Sequence, residues 1–145
     1  MRERGWEVAA YEIIADDLNP LRERLASWAD SGALDVILTT GGTGFSPRDL
    51  APDATLAVID RSAPGLAEAM RAASLKITPH AMLSRAAAGI RAKTLIINLP
   101  GSPRAAVENF QVVEPVLQHA VQLLREDPSA EAGHRSEDDK HGFKD

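Results

Sequence analysis

The chain of 145 residues contains no cysteine, and its net charge of −5 comes without any run of basic residues. The missing thiols exclude cysteine nucleophiles, disulfide bonds and cysteine-ligated metals, although they leave the redox compartment undetermined. The acidic balance argues against a broad nucleic-acid surface. No run of about 20 apolar residues is present, and residues 1–14 lack the apolar region of a signal peptide. We therefore expect a soluble, cytoplasmic protein that binds neither nucleic acid nor membrane.

The length and the hydrophobic fraction of 44% fit a single domain with its own core. That domain is predicted to occupy residues 1–126. From residue 127 the sequence becomes polar and charged, which predicts a disordered polar tail over 127–145.

Strand-like runs and helical stripes alternate along the domain. The predicted strands are 6–14, 35–40, 84–90 and 94–98, of which 84–90 is expected at an edge of the sheet. The predicted helices begin at Pro20, Pro52, Pro64 and Pro103, and Pro115 is expected to divide or kink the last one. This alternation predicts an α/β fold in which helices flank a mostly parallel sheet. Ligands in such folds bind beyond the carboxyl ends of the strands.

A glycine-rich loop, TTGGTG, follows the predicted strand 35–40. Gly41, Gly42 and Gly44 allow backbone N–H groups to converge on an anion, and the hydroxyl of Thr43 adds a donor. The loop therefore predicts a phosphate site, although a tight strand-to-helix turn without a ligand explains the same glycines. It matches neither the Gly-Lys-Ser/Thr phosphate loop nor the dinucleotide-binding fingerprint.

Two aspartates lie close to predicted strand ends. A carboxylate such as Asp49 beside a phosphate loop is expected to need a cation between them, and Mg²⁺ takes one or two carboxylates together with phosphate oxygens. Asp16 follows an earlier predicted strand and is a candidate second ligand. Two alternatives remain open: Asp49 caps a helix or pairs with Arg48, and Asp16 caps the next helix.

A second loop, NLPGSPR, follows the predicted strand 94–98. Ser102 precedes Pro103 at a helix start, where free N–H groups and the helix dipole attract anions. Asn98 is a candidate to bind a base, a sugar or a phosphate, or else it caps a turn. Because both loops follow buried strands, they are expected to meet at one crevice.

Three segments in order, LTTGGTGFSPRDLAPDAT, PGLAEAMRAASLKITPHAMLSR and TLIINLPGSPRAAVE, resemble the molybdopterin adenylyltransferase family of molybdenum-cofactor biosynthesis, which includes a domain of gephyrin. The likeness runs from about Trp6 to Arg125. It implies a three-layer α/β fold and transfer of AMP from Mg-ATP to the terminal phosphate of molybdopterin, with release of pyrophosphate. By the same likeness, the family's N-terminal strand and most of its first helix are expected to be missing ahead of Trp6.

The resemblance also implies roles for particular residues. Asp49 and Asp16 are implied to be catalytic residues that hold Mg²⁺. The implied substrate-binding residues are Gly41, Gly42, Thr43, Gly44, Ser74, Asn98, Pro100, Gly101 and Ser102, with Ser74 holding molybdopterin. A homo-oligomer, a trimer by resemblance, and a molybdate-insertion protein are implied as partners. Two other interpretations stay open: a truncated paralogue that binds molybdopterin or acts as a scaffold without catalysis, and a related nucleotide-processing enzyme of the same fold.

Overall fold

The structure is a computed structural model, and it describes residues 4–130. Its helices are α1 (Leu18–Asp30), α2 (Ala51–Val58), α3 (Pro64–Leu75) and α4 (Pro103–Leu124), with a short 3-10 helix at Pro79–Leu83. Its strands are β1 (Val36–Thr40), β2 (Arg61–Ser62), β3 (Ala88–Arg91) and β4 (Thr94–Leu99). No helix in this part of the chain combines the length and the apolar character that a membrane crossing requires.

The four strands form one mixed sheet in the order β1-β4-β3-β2. β1 and β4 are parallel, with Val36 opposite Leu95, whereas β4 with β3 and β3 with β2 are antiparallel. The prediction of a mostly parallel sheet is therefore wrong in this detail. The cause is the two-residue connection between Arg91 and Thr94, because a connection this short joins only antiparallel strands.

Strand β4 separates two apolar cores. All six of its residues are buried, and alternate side chains point to opposite faces. Leu95, Ile97 and Leu99 pack with α3 and α4, while Ile96 packs with α1 and α2. Helices thus cover both faces of the sheet, which confirms the three-layer α/β architecture.

Two local predictions are wrong, and a third is wrong in part. Residues 6–14 form no strand, because β-forming side chains need a hydrogen-bonded neighbour and this segment has none among residues 4–130. β3 lies inside the sheet between β4 and β2, and not at an edge. α4 continues through Pro115, which is exposed, because Val113 and Leu117 on the opposite face are buried in the core, so Pro115 does not divide the helix and a kink there stays a prediction.

The first four residues of the predicted tail, 127–130, are among those that the structure describes. Ala130 is buried, and its N–H donates to the carbonyl of Asp127 at 3.0 Å. This local contact does not test the boundary predicted after residue 126, which stays a prediction. The rest of that tail, 131–145, lies outside the described residues, so its disorder stays a prediction.

Candidate functional site

The two glycine-containing loops touch each other at the carboxyl ends of the parallel strands. The N–H of Gly41, directly after β1, donates to the carbonyl of Leu99 at the end of β4 at 3.0 Å. A Cβ atom built on Gly101 would lie 3.2 Å from the Gly41 Cα atom. The two loops thus meet as predicted, with Pro100 and Ser102 on either side of Gly101, whereas a shared crevice between them stays a prediction.

The backbone of the first loop has N–H groups that make no hydrogen bond within the described residues. Gly41 and Gly42 have φ of +88° and +67°, a region that residues with a Cβ atom rarely occupy. The backbone N–H groups of residues 42–45 have no hydrogen-bond acceptor anywhere in the part of the chain described, 4–130. Consecutive free N–H groups in a turn of this kind are suited to bind an anion.

The carbonyl groups of the same loop are held by Arg85, a residue that the sequence reasoning missed. Its backbone N–H donates to the Thr43 carbonyl at 2.7 Å, and its Nε donates to the Gly44 carbonyl at 2.8 Å. Its Nη2 donates to the Asp49 carbonyl and, at 3.0 Å, to the Asp53 carboxylate, which also accepts from Nη1 at 3.3 Å. The signal available in the sequence was an arginine placed among the small and apolar residues of AMLSRAAAGI.

The pair of Arg85 and Asp53 is charged under ordinary conditions. Hydrogen bonding to the guanidinium lowers the pKa of Asp53 below its usual range, and the same hydrogen bonds raise the pKa of Arg85. The negative charge of Asp49 raises the Arg85 pKa further. Since both side chains are partly exposed, the pair fixes geometry more than it adds stability.

Asp49 is held by its own turn and keeps one oxygen open. Its Oδ2 accepts the N–H of Ser46 at 3.0 Å, and its Oδ1 has no partner within residues 4–130. The N-cap of α2 is Leu50, and no ion pair joins Asp49 to Arg48 in this range, so neither alternative considered for Asp49 holds. A Cβ atom on Gly44 would lie 2.8 Å from Oδ2, so glycine is required there for this arrangement.

Asp16 lies beside the same loop, in a cavity of about 470 Å³ that Gly41 and Gly42 also line. Its carboxylate is exposed and has no hydrogen-bond partner among residues 4–130, and the N-cap of α1 is Asp17. The capping alternative for Asp16 therefore does not hold. Asp49 does not line this cavity, although the adjacent Leu50 does.

The two aspartates can act only as partial ligands for a metal ion. Within residues 4–130 there is no group of three or more His, Asp or Glu side chains that could hold one. Mg²⁺ bound with few protein ligands keeps water and substrate phosphate oxygens in its coordination sphere. Asp16 and Asp49 each offer an open carboxylate oxygen, the type of ligand that such a site uses, and of the two only Asp16 lines the cavity beside the first loop.

The expectation that Asn98 contacts a ligand needs correction. Its side chain is completely buried, its Oδ1 accepts the N–H of Ala87 at 3.0 Å, and its Nδ2 donates to Thr39 Oγ1 and Thr55 Oγ1, each at 2.9 Å. Because both amide hydrogens are used internally, none remains for a ligand. Asn98 instead ties β4 to β1 and to α2.

The two serines predicted to bind substrate occupy different places. Ser102 is the N-cap of α4, and its Oγ accepts the N–H of Ala105. Ser74 lines a separate pocket of about 280 Å³ between α3 and α4, where its Oγ accepts a hydrogen bond from Asn109 Nδ2 at 3.0 Å. Asn109 is buried and was not anticipated from the sequence. It lies about 10 Å along α4 from Ser102.

A three-layer α/β domain whose free loop N–H groups lie at the carboxyl ends of parallel strands belongs to the class of proteins that bind anionic ligands at this edge. Comparison with known families identifies the family within this class. Residues 1–119 match the sequence profile of a family described as "Probable molybdopterin binding domain", and the chain belongs to this family.

Individual relatives agree with this assignment. The molybdopterin biosynthesis enzyme MoaB of Thermus thermophilus is 52% identical, with a TM-score of 0.78, over 84% of this chain and 77% of that structure. A molybdopterin adenylyltransferase of Helicobacter pylori is 45% identical over 79% of this chain and 65% of its own length. Gephyrin of Dictyostelium discoideum is 44% identical over 90% of this chain, which is 18% of that protein. The chain thus spans less than two thirds of these two curated relatives.

Proposed function

We propose that the chain is a molybdopterin adenylyltransferase, which transfers AMP from ATP to the terminal phosphate of molybdopterin. The observation that carries this proposal is the run of free N–H groups at residues 42–45, in the loop whose Gly41 contacts Gly101 of the second loop. Relatives named molybdopterin adenylyltransferase, at about 45% identity, support the choice of substrates.

In the proposed reaction an oxygen of the molybdopterin phosphate forms a bond to the α-phosphorus of ATP. The bond between that phosphorus and the oxygen bridging to the β-phosphate breaks, and pyrophosphate leaves with the electron pair. No protein nucleophile is needed, because the substrate itself supplies one. The chain contributes positioning and stabilisation of charge, for which the N–H groups of residues 42–45 are suited.

We assign the two carboxylates and the two loops to separate tasks. Asp49 and Asp16 would hold Mg²⁺, which supplies neutralisation of the phosphate charge when it is bound. The first loop, Gly41 to Gly44, would bind the polyphosphate of ATP. Pro100, Gly101 and Ser102 at the start of α4 would bind the phosphate of molybdopterin. Ser74, in its own pocket, would hold the pterin.

Several wider expectations stay predictions. These are a homo-oligomer, for which a trimer is the number that the resemblance suggests, an interaction with a molybdate-insertion protein, and a cytoplasmic location. The adenylyl-transfer activity is tested first, because the other expectations depend on it.

The test combines turnover with binding. The purified chain is given molybdopterin, ATP and Mg²⁺, and pyrophosphate release is measured against the formation of adenylylated molybdopterin. Equal amounts of the two products are expected. Asp49→Asn should lower turnover at least about 100-fold, since the metal ligand is lost, while molybdopterin affinity changes little.

A matched control exists at the other end of the sheet. Asp60 also accepts a backbone N–H, that of Ala92 at 2.7 Å, but lies away from the loops, so Asp60→Asn should retain turnover. Full turnover by Asp49→Asn would remove the role assigned to Asp49. Molybdopterin binding by the wild type without any pyrophosphate release would favour the non-catalytic interpretation instead.

A further inference from the structure

Arg85 makes more hydrogen bonds to the first loop than packing in the core would require. Its backbone and side chain donate to three carbonyl groups of the segment between β1 and α2, those of Thr43 and Gly44 in the first loop and that of Asp49 beyond it. It is not close to them in sequence, since it follows the 3-10 helix at Pro79–Leu83 on the way to β3. One residue therefore fixes three points of a segment whose residues 45–48 are exposed.

The direction of these carbonyl groups decides where the loop donors point. In a trans peptide unit the carbonyl of one residue and the N–H of the next point in opposite directions. The carbonyls of Thr43 and Gly44 point at Arg85, so the N–H groups of Gly44 and Phe45 point away from it. These N–H groups are among the free donors of the loop. Arg85 thus orients the donors without occupying them.

Arg85 also leaves the carboxylate of Asp49 available. Its Nη2 binds the backbone carbonyl of Asp49 and not its side chain. The guanidinium is paired instead with the carboxylate of Asp53, in the first turn of α2, at 3.0 and 3.3 Å. A fork of this shape can serve Asp53 and two loop carbonyls together, whereas the single ammonium of a lysine cannot.

We propose that Arg85 is the positioning residue of the first loop: with Asp53 as its anchor, it fixes the loop so that the N–H groups of Gly44 and Phe45 bind phosphate while the Asp49 carboxylate stays open. This inference rests on the proposed function for the identity of the substrate, but not for the binding of phosphate. It predicts that the fork geometry, and not the positive charge, is what the site requires.

The experiment compares Arg85→Lys and Arg85→Gln with Arg91→Gln. Arg91 is a matched control because it makes the same kinds of contact, to the Asp30 carboxylate at 2.9 Å and to the Val58 carbonyl at 2.7 Å, without touching either loop. Two properties are measured for each variant: kcat and KM for ATP in adenylyl transfer, and the affinity for inorganic pyrophosphate with Mg²⁺ by calorimetry. Stability is followed by denaturant unfolding.

We expect both Arg85 variants to lower kcat/KM for ATP by about 10- to 100-fold and to weaken pyrophosphate binding by about 10-fold. Molybdopterin affinity should stay within about two-fold of wild type, and Arg91→Gln should retain activity and pyrophosphate affinity. Recovery of wild-type values by Arg85→Lys would overturn the inference, since charge alone would then suffice. Equal losses in Arg91→Gln would overturn it too, since they would indicate general destabilisation.

The pyrophosphate measurement separates this inference from the proposed function. If the wild type transfers no AMP but binds pyrophosphate, and Arg85→Lys does not, the positioning role stands and the proposed reaction fails. If the wild type transfers AMP and Arg85→Lys binds pyrophosphate equally well, the reaction stands and the positioning role fails. Absence of pyrophosphate binding by the wild type would overturn the positioning role directly.

Discussion

Gly101 approaches Gly41 so closely that a methyl group added to Gly101 would lie 3.2 Å from the Gly41 Cα atom. The two residues are separated by 60 positions, and their contact joins the loops that follow β1 and β4. Gly101 does not have a positive φ, so this close approach, and not backbone strain, is the reason for its glycine.

Gly101→Ala should therefore push the two loops apart and weaken pyrophosphate binding by about 10-fold, with a loss of stability below about 1 kcal/mol because the loop is exposed. Gly65→Ala is the control, since its added methyl group meets no atom within 4 Å and lies in the first turn of α3. The control should bind normally and be slightly more stable. Calorimetry and denaturant unfolding measure both effects, and unchanged binding by Gly101→Ala would contradict the importance of this contact.

The buried amide of Asn98 gives a prediction about stability. Asn98→Ala leaves the Thr55 hydroxyl and the Ala87 N–H without their partner and also opens a cavity. The expected loss in the free energy of unfolding is about 2–4 kcal/mol. Asn19→Ala, on the exposed surface of α1, should change it by less than about 0.5 kcal/mol. Denaturant unfolding compares the two, and losses of similar size would argue against a structural role for Asn98.

The pair of Asp53 and Arg85 predicts a dependence of stability on pH. Arg85 lowers the pKa of Asp53 in the folded state, so the pair contributes stability above the pKa of an unfolded aspartate, and this contribution is lost as the pH falls through the lower folded value. The difference in unfolding free energy between wild type and Asp53→Asn should thus be constant above about pH 5 and shrink below about pH 4. Unfolding curves at a series of pH values test this, and a difference that persists at pH 2 would contradict it.

The end of α4 offers a stabilising substitution. Glu126 has a φ of +56°, its N–H donates to the Leu123 carbonyl, and the N–H of Asp127 donates to the Gln122 carbonyl. This pattern is a Schellman motif, in which glycine is the preferred residue at the position of Glu126. Glu126→Gly should raise the free energy of unfolding by about 1 kcal/mol, whereas Glu126→Val should lower it. Thermal unfolding of the two variants distinguishes these directions.

Local patterns in the sequence were sufficient for the helices and the two glycine loops. Proline at a helix start and glycine directly after a buried run are signals carried by neighbouring residues, and the structure agrees with them for α2, α3 and α4. The first helix begins at Leu18, two residues before the predicted start at Pro20. The segment 6–14 shows the limit of such signals. Its β-forming residues satisfy strand propensity, but a strand also needs a neighbour, which propensity does not describe.

Long-range contacts account for what the sequence did not predict. Arg85 is 41 residues from Gly44, and no local pattern indicates that the two meet. Asn98 was placed in the site because it ends a strand next to a loop. A different signal was available, since a polar residue inside the apolar run TLIINL is expected to be satisfied internally.

The position of β4 has a consequence for exchange of backbone amides with solvent. β4 is bonded to a strand on each side and all six of its residues are buried, so its amide protons should exchange with deuterium only when the whole domain unfolds. The second loop leaves directly from this strand, and Leu99 at its end accepts the N–H of Gly41. Both loops are therefore anchored to the slowest-exchanging element of the fold, although the tip of the first one is open to solvent.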